Sequence, residues 1–151
     1  MPDTVDTDDE GASVPLGVPL GDDPIVLAQI VTFNDPEPAT ADLSSVGAAR
    51  FTVSVREEEG ADGDHGTETI GYLAVETGGS TGEGFLADRT GPVVDENVTA
   101  IDFGDALPEG YAFLANVQSE ASPDPATLRI TERTSSSVLL FVQEEQSADD
   151  E

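Results

Sequence analysis

Residues 50–57 read RFTVSVRE and residues 137–144 read SVLLFVQE. In the first stretch Phe51, Val53 and Val55 alternate with Thr52, Ser54 and Arg56. A period of two is the pattern of a half-buried antiparallel strand, apolar toward a core and polar toward water. In the second stretch Leu139 and Phe141 stand where the first has Thr52 and Ser54. That strand is apolar on both faces, so its outer face has to be buried. The candidates are the other half of the chain or an oligomer interface built on Leu139 and Phe141.

The two stretches lie 87 residues apart, and the correspondence spreads outward from them. Residues 14–64 align with 101–151 without a gap, with 13 identities in 51 positions. Gly17 and Leu20 match Gly104 and Leu107, Leu27-Ala28 matches Leu114-Ala115, and P-x-P-A-T occurs at both 36–40 and 123–127. Ungapped self-similarity of this kind indicates an internal duplication. After VREEEGADGD the first copy continues into HGTETIGYLAVE, which reads as a strand, whereas the second copy reaches residue 151 within the equivalent loop. The second unit is therefore expected to lack its last strand, leaving an edge for copy one, another subunit or a different protein to cover.

Strand signals recur along the rest of the chain, and helix signals do not. PIVLAQIVTF (24–33) is apolar on both faces, as a central strand would be, and ATADLSSV and ATLRITER are shorter and more polar. Turns are marked by Asn34-Asp35-Pro36, by Ala61-Asp62-Gly63-Asp64 and by Leu107-Pro108-Glu109-Gly110. The expected fold is all-β, an antiparallel β-sandwich of around nine strands built from two repeated units. The expected organisation is a disordered acidic arm over 1–13, a first unit over 14–90 with a Gly-rich linker at 77–91, and a truncated second unit over 92–151.

Charge narrows the partners. There are 32 acidic residues against five basic ones, a formal net charge of −27 at pH 7. All five are arginines (Arg50, Arg56, Arg89, Arg129, Arg133), and the chain contains no lysine. A compact body with that charge repels itself, and is most at ease where salt brings the Debye length to about 3 Å, near molar ionic strength. The composition resembles that of proteins from extremely halophilic archaea and their viruses. Five scattered arginines make no basic patch for nucleic acid or anionic membrane surfaces. Without cysteine there are neither disulfides nor thiolate metal sites. MPDTVDTDDEGAS has neither the basic nor the apolar region of a signal peptide.

The succession V-L-A-Q-I-x-T-F, P-x-P-A-T, a strand, then E-E-E…D-x-x-H-x-x-E-T-I-G-Y-L-A-V resembles a repeat of secreted and phage-associated bacterial proteins and of haloarchaeal virus proteins. It is more distantly similar to H-type lectin domains. The resemblance covers Ile25 to Val75 and, in the second unit, Ala112 onward. It implies a small antiparallel sandwich that assembles as a trimer and binds sugars such as N-acetylgalactosamine. The chain departs from that pattern in having no tryptophan, and the second unit lacks the loop and strand where such lectins place much of their site.

Few residues carry chemistry. His65, the single histidine, sits in an acidic loop with Asp62, Asp64 and Glu68, and reads as a solvated turn residue or one hydrogen-bonded to Glu68. Glu57, Glu59, Asp62 and Asp64 place four carboxylates within eight residues. They could hold Ca²⁺, which takes six to eight oxygens, although EF-hand spacing is absent. GGSTGEG lacks the G-K-[ST] of a phosphate loop. No carboxylate pair or nucleophile is singled out, so the expectation is a protein that is not an enzyme. The expected role is a structural or adhesive part of a haloarchaeal virus particle (tail, baseplate, fibre or capsid decoration). It would be assembled in a high-salt cytoplasm, partnered by itself and by other virion proteins, and could contact host glycans. The alternative is a host-encoded carbohydrate-binding module. That reading asks for an aromatic platform, and only Phe and Tyr are available, among them Phe33, Tyr72, Phe85 and Tyr111.

Overall fold

Alternating side chains build the first sheet pair. In the computed structural model, which describes residues 2–80, 84–119 and 124–146, every regular element among the described residues is a strand. The strands are β1 (Pro2–Thr7), β2 (Ala12–Pro15), β3 (Ile25–Ile30), β4 (Ala39–Gly47), β5 (Arg50–Glu57) and β6 (Glu68–Val75). They are followed by β7 (Gly78–Ser80), β8 (Phe85–Ala87), β9 (Thr99–Asp102), β10 (Ala126–Arg133) and β11 (Ser137–Glu144). The fold is all-β and antiparallel. Eleven strands occur among the described residues where around nine are expected; β7 and β8 lie in the stretch that reads as linker and β1 in the acidic arm.

The N-terminal half is a complete sandwich. One sheet runs β1-β6-β3 and the other β2-β5-β4. Val14, Val26, Leu43, Phe51, Val53, Val55, Ile70 and Ala74 form a single buried cluster between them. Phe51 meets Tyr72 edge to face, with ring centroids 5.0 Å apart. Full burial of each such side chain is worth roughly 1.5–3 kcal/mol.

Three sequence expectations change here. The 1–13 arm is not a loose tail. β1 pairs with β6 from Pro2 to Thr7, Val5 packs on the core, and the buried Thr7 donates to the Val53 carbonyl. Alternating Val5 and Thr7 supply a core face that the acidic composition hides. The stretch at 24–33 is not a central strand: β3 stops at Ile30 and lies at the edge of its sheet, with β6 in the middle. On its far side the Asn116 and Gln118 side chains accept from the Ala28 and Val26 amides. These two side chains supply the acceptors that a neighbouring strand would. The linker at 77–91 contains the β7–β8 hairpin, tethered by Arg89, which donates to Asp23 at 2.9 Å.

The C-terminal half carries a three-stranded sheet of order β10-β11-β9. At an offset of 87, β2 and β5 fall on β9 and β11 with identical boundaries, and β4 falls on β10. The pairings coincide as well. Pro15↔Arg50 and Ala12↔Val53 become Asp102↔Ser137 and Thr99↔Leu140, while Ala39↔Glu57 and Leu43↔Val53 become Ala126↔Glu144 and Ile130↔Leu140. Loop hydrogen bonds follow the same rule: Leu16 N to Ala49 O recurs as Phe103 N to Ser136 O, and Val55 N to Asp8 O as Val142 N to Asp95 O. The last pair carries the correspondence back to residue 8, ahead of the expected start at 14.

Candidate functional site: a histidine between two buried glutamates

The inward rows of the two central strands end in acids. On β5 the row is Phe51, Val53, Val55, Glu57, and on β6 it is Glu68, Ile70, Tyr72, Ala74. Both rows reach the same end of the sandwich, where the chain between β5 and β6 folds back across the opening. Gly63 allows that reversal with φ of 77° and donates its amide to Glu57 Oε2 at 2.9 Å. The loop then drops His65 between the two carboxylates.

His65 is 3 % exposed and Glu68 1 %. The Nδ1 of His65 lies 2.9 Å from Glu57 Oε1, and its Nε2 lies 3.7 Å from Glu68 Oε1. A carboxylate only accepts, so Nδ1 is the donor toward Glu57. Glu68 collects further donors: the Thr32 hydroxyl on Oε2, and the amides of Asn34 and Asp35 on Oε1 at 2.6 and 3.0 Å. The Thr32 hydrogen bond, and then those two amides and His65, hold the Glu68 carboxyl below the usual glutamate range against the opposing effect of burial. Asp35 ties the turn to the loop by accepting from the Gly66 amide at 3.1 Å. Buried charges persist only when paired and hydrogen-bonded, and these are.

His65 is therefore neither a solvated turn residue nor hydrogen-bonded to Glu68; its short contact is to Glu57. The alternation F-x-V-x-V-x-E and E-x-I-x-Y-x-A was the signal that both acids point inward. Of the four carboxylates expected to hold Ca²⁺, the structure brings Glu57 and Asp62 together, joined by Glu37; a second group is Asp35, Glu57 and His65. Glu59 and Asp64 are in neither group among the described residues. Their amides bond Glu145 and Asp62. Both oxygens of Glu57 are already engaged, by His65 and Gly63. The Glu37 carboxyl is pushed up by burial first, then by Glu57 and Asp62. With its ring enclosed by the two acids, His65 acts as a plug for the sandwich end.

Leu139 and Phe141 are both partly buried within the chain rather than bare. Carried one step beyond Thr99↔Leu140, the register sets Val98 across from Phe141. At the equivalent place Gly11 lies beside Ser54, where an added Cβ would come within 3.2 Å of the serine Cβ. Asn97-Val98-Thr99, a glycosylation sequon by sequence, forms this exposed turn before β9.

Neither a family model nor a solved structure matches the chain. Halomucin of Haloquadratum walsbyi (strain DSM 16790 / HBSQ001) is 38% identical over 127 residues, which cover 81% of this chain. The chain spans about 1% of halomucin's length, so the likeness is to one small segment of a far longer halophile protein.

Proposed function

We propose that the chain is a non-enzymatic β-sandwich module of a halophilic surface or secreted protein, with a structural or adhesive role. The observation that carries this reading is the 38% identity to a segment of halomucin. The charge of −27 without lysine supports the same setting, since such a surface is suited to molar salt. The plug around His65 supports a module whose acids serve the fold. We further infer that the two halves are copies of one unit, on the strength of their shared register, and that the sugar contact implied by the H-type lectin resemblance belongs to the same adhesive role. The narrower expectation of a virus-particle part rests on sequence expectations alone: composition, duplication, the repeat resemblance and the lack of signal-peptide features in the first residues.

Two measurements test this. Thermal melts from about 0.1 to about 3 M KCl should show the melting temperature rising with salt as screening shortens the Debye length; a flat profile sinks the halophilic reading. An antibody to the chain should find it in the envelope or medium fraction of a culture carrying its gene. Recovery with purified virus particles instead would replace the surface reading by the viral one.

A further inference from the structure

β6 is the centre of its sheet, paired to β1 on one edge and to β3 on the other. Its inward residues Ile70, Tyr72 and Ala74 belong to the same core as Leu43, Phe51, Val53 and Val55 on the facing sheet. The C-terminal half reproduces that facing sheet in register. Among its described residues, however, nothing stands in the place of β6, and the segments at the positions of β1 and β3 (89–94 and 112–117) are not strands. The inward face of β10 and β11 is correspondingly open. Ile130, in the position of Leu43, is 50 % exposed where Leu43 is 1 %. Val142 is only partly buried and Glu144 is exposed, where Val55 and Glu57 are buried. Only the start of β11 is enclosed, with Val138 and Leu140 buried. Phe103, Tyr111 and Phe113 cluster at that end, where the Tyr111 hydroxyl donates to the Thr134 carbonyl.

The N-terminal half states what covers such a face. We propose that the C-terminal half is a strand acceptor. It takes one extended segment of the β6 type from outside residues 1–151, by β-augmentation with main-chain pairing on both edges. The pattern required is an acid, then apolar residues at alternate positions, preceded by a histidine loop. By the offset, Thr7↔Glu68 and Ile30↔Ile70 place the incoming acid opposite Val94 and its second inward residue opposite Val117. Glu144 stands where Glu57 receives His65, so the histidine of the incoming segment would close the second plug.

The probe is the peptide DHGTETIGYLAVE, residues 64–76 of this chain, titrated into the full chain in molar salt. Saturable one-to-one binding is expected, with new amide-exchange protection in 89–94 and 112–117, the segments at the positions of β1 and β3, and none added in β5. Ile130→Asp and Val142→Asp should each weaken binding at least ~10-fold, about 1.4 kcal/mol; both positions are open to solvent in part, so the chain should stay folded. Glu144→Gln, or a peptide with His65→Ala, should also weaken it. A peptide with Ile70→Asp and Ala74→Asp should not bind. Absent binding while β5 amides remain protected overturns the proposal, as does binding indifferent to Ile130→Asp. Concentration-dependent protection of 89–94 and 112–117 without peptide would also overturn it, because the occupant would then be a second copy.

Discussion

Strands β5 and β11 pair with their neighbours in the same register, yet one is sealed and the other is sealed only at its start. Phe51, Val53, Val55 and Glu57 are all buried. At the same offsets Val138 and Leu140 are buried, Val142 is partly so, and Glu144 is exposed. Since backbone pairing is shared, the difference lies in what stands over each strand. In the N-terminal half, β6 and the loop before it close the sandwich and bring His65 with them. Hydrogen-bond register and core formation are thus separable: a three-stranded sheet holds its pairing with part of its inner face open, whereas burial of an acid needs the covering strand and its donors.

The sharpest way to break the comparison is to remove the plug. His65→Leu leaves Glu57 and Glu68 buried and facing each other without the ring between them. Leaving a buried acid without its hydrogen-bond donor costs about 1–3 kcal/mol, and more for a charged group. Chemical denaturation in molar salt, read at β5 amides, should show a loss of that size. Glu144→Gln, at the exposed counterpart of Glu57, should stay within about 0.5 kcal/mol. Equal effects would mean that the two strand ends are in the same environment.

A smaller contrast comes from the paired core positions. Leu43→Ala removes a fully buried side chain and should cost about 2–5 kcal/mol. Ile130→Ala, at the half-exposed equivalent, should cost less than about 1.5 kcal/mol, since less apolar area leaves solvent there. Comparable losses at the two sites would show that the C-terminal face is covered in solution.

Much of the strand layout was legible in the sequence because side-chain alternation and the 87-residue offset are both one-dimensional signals. RFTVSVRE and SVLLFVQE are β5 and β11 residue for residue. β1 escaped notice because three of its six residues would suit any acidic tail, and only Val5 and Thr7 turn inward. The edge position of β3 was hidden for the opposite reason. Its run of apolar residues imitates a central strand, while Asn116 and Gln118, which serve its outer amides, lie about 90 residues away in sequence. The site was half legible. Glu57 and Glu68 follow from alternation, but Thr32, Asp35 and Glu37 come from a different loop and are joined only by the sandwich end. Leu139 and Phe141 read as a face that the other half of the chain or an oligomer has to bury, and sequence alone does not choose between the two; in the structure both are partly buried within the chain.

The smallest and most specific effect is on the acid limb of stability. The carboxyl of Glu68 is held below its unfolded value, near 4.3 for glutamate, mainly by the Thr32 hydroxyl and then by the Asp35 and Asn34 amides and His65. With a lowered folded pKa, its contribution is full above the unfolded value. It is lost as pH falls through the folded one, because the unfolded chain binds the proton first. Glu37 works the other way. Burial, then Glu57 and Asp62, raise its carboxyl, so it opposes folding at neutral pH and the opposition lifts as it protonates. General protonation relieves the −27 charge and affects every variant alike, so the test is a difference. Melts of the wild type and of Glu68→Gln between about pH 6 and pH 3 should converge as pH falls. Those of the wild type and Glu37→Gln should also converge, but from the opposite side, with the variant more stable at neutral pH. If the gap between wild type and Glu68→Gln stays constant across that range, Glu68 is not the ionised, hydrogen-bonded group that the plug requires.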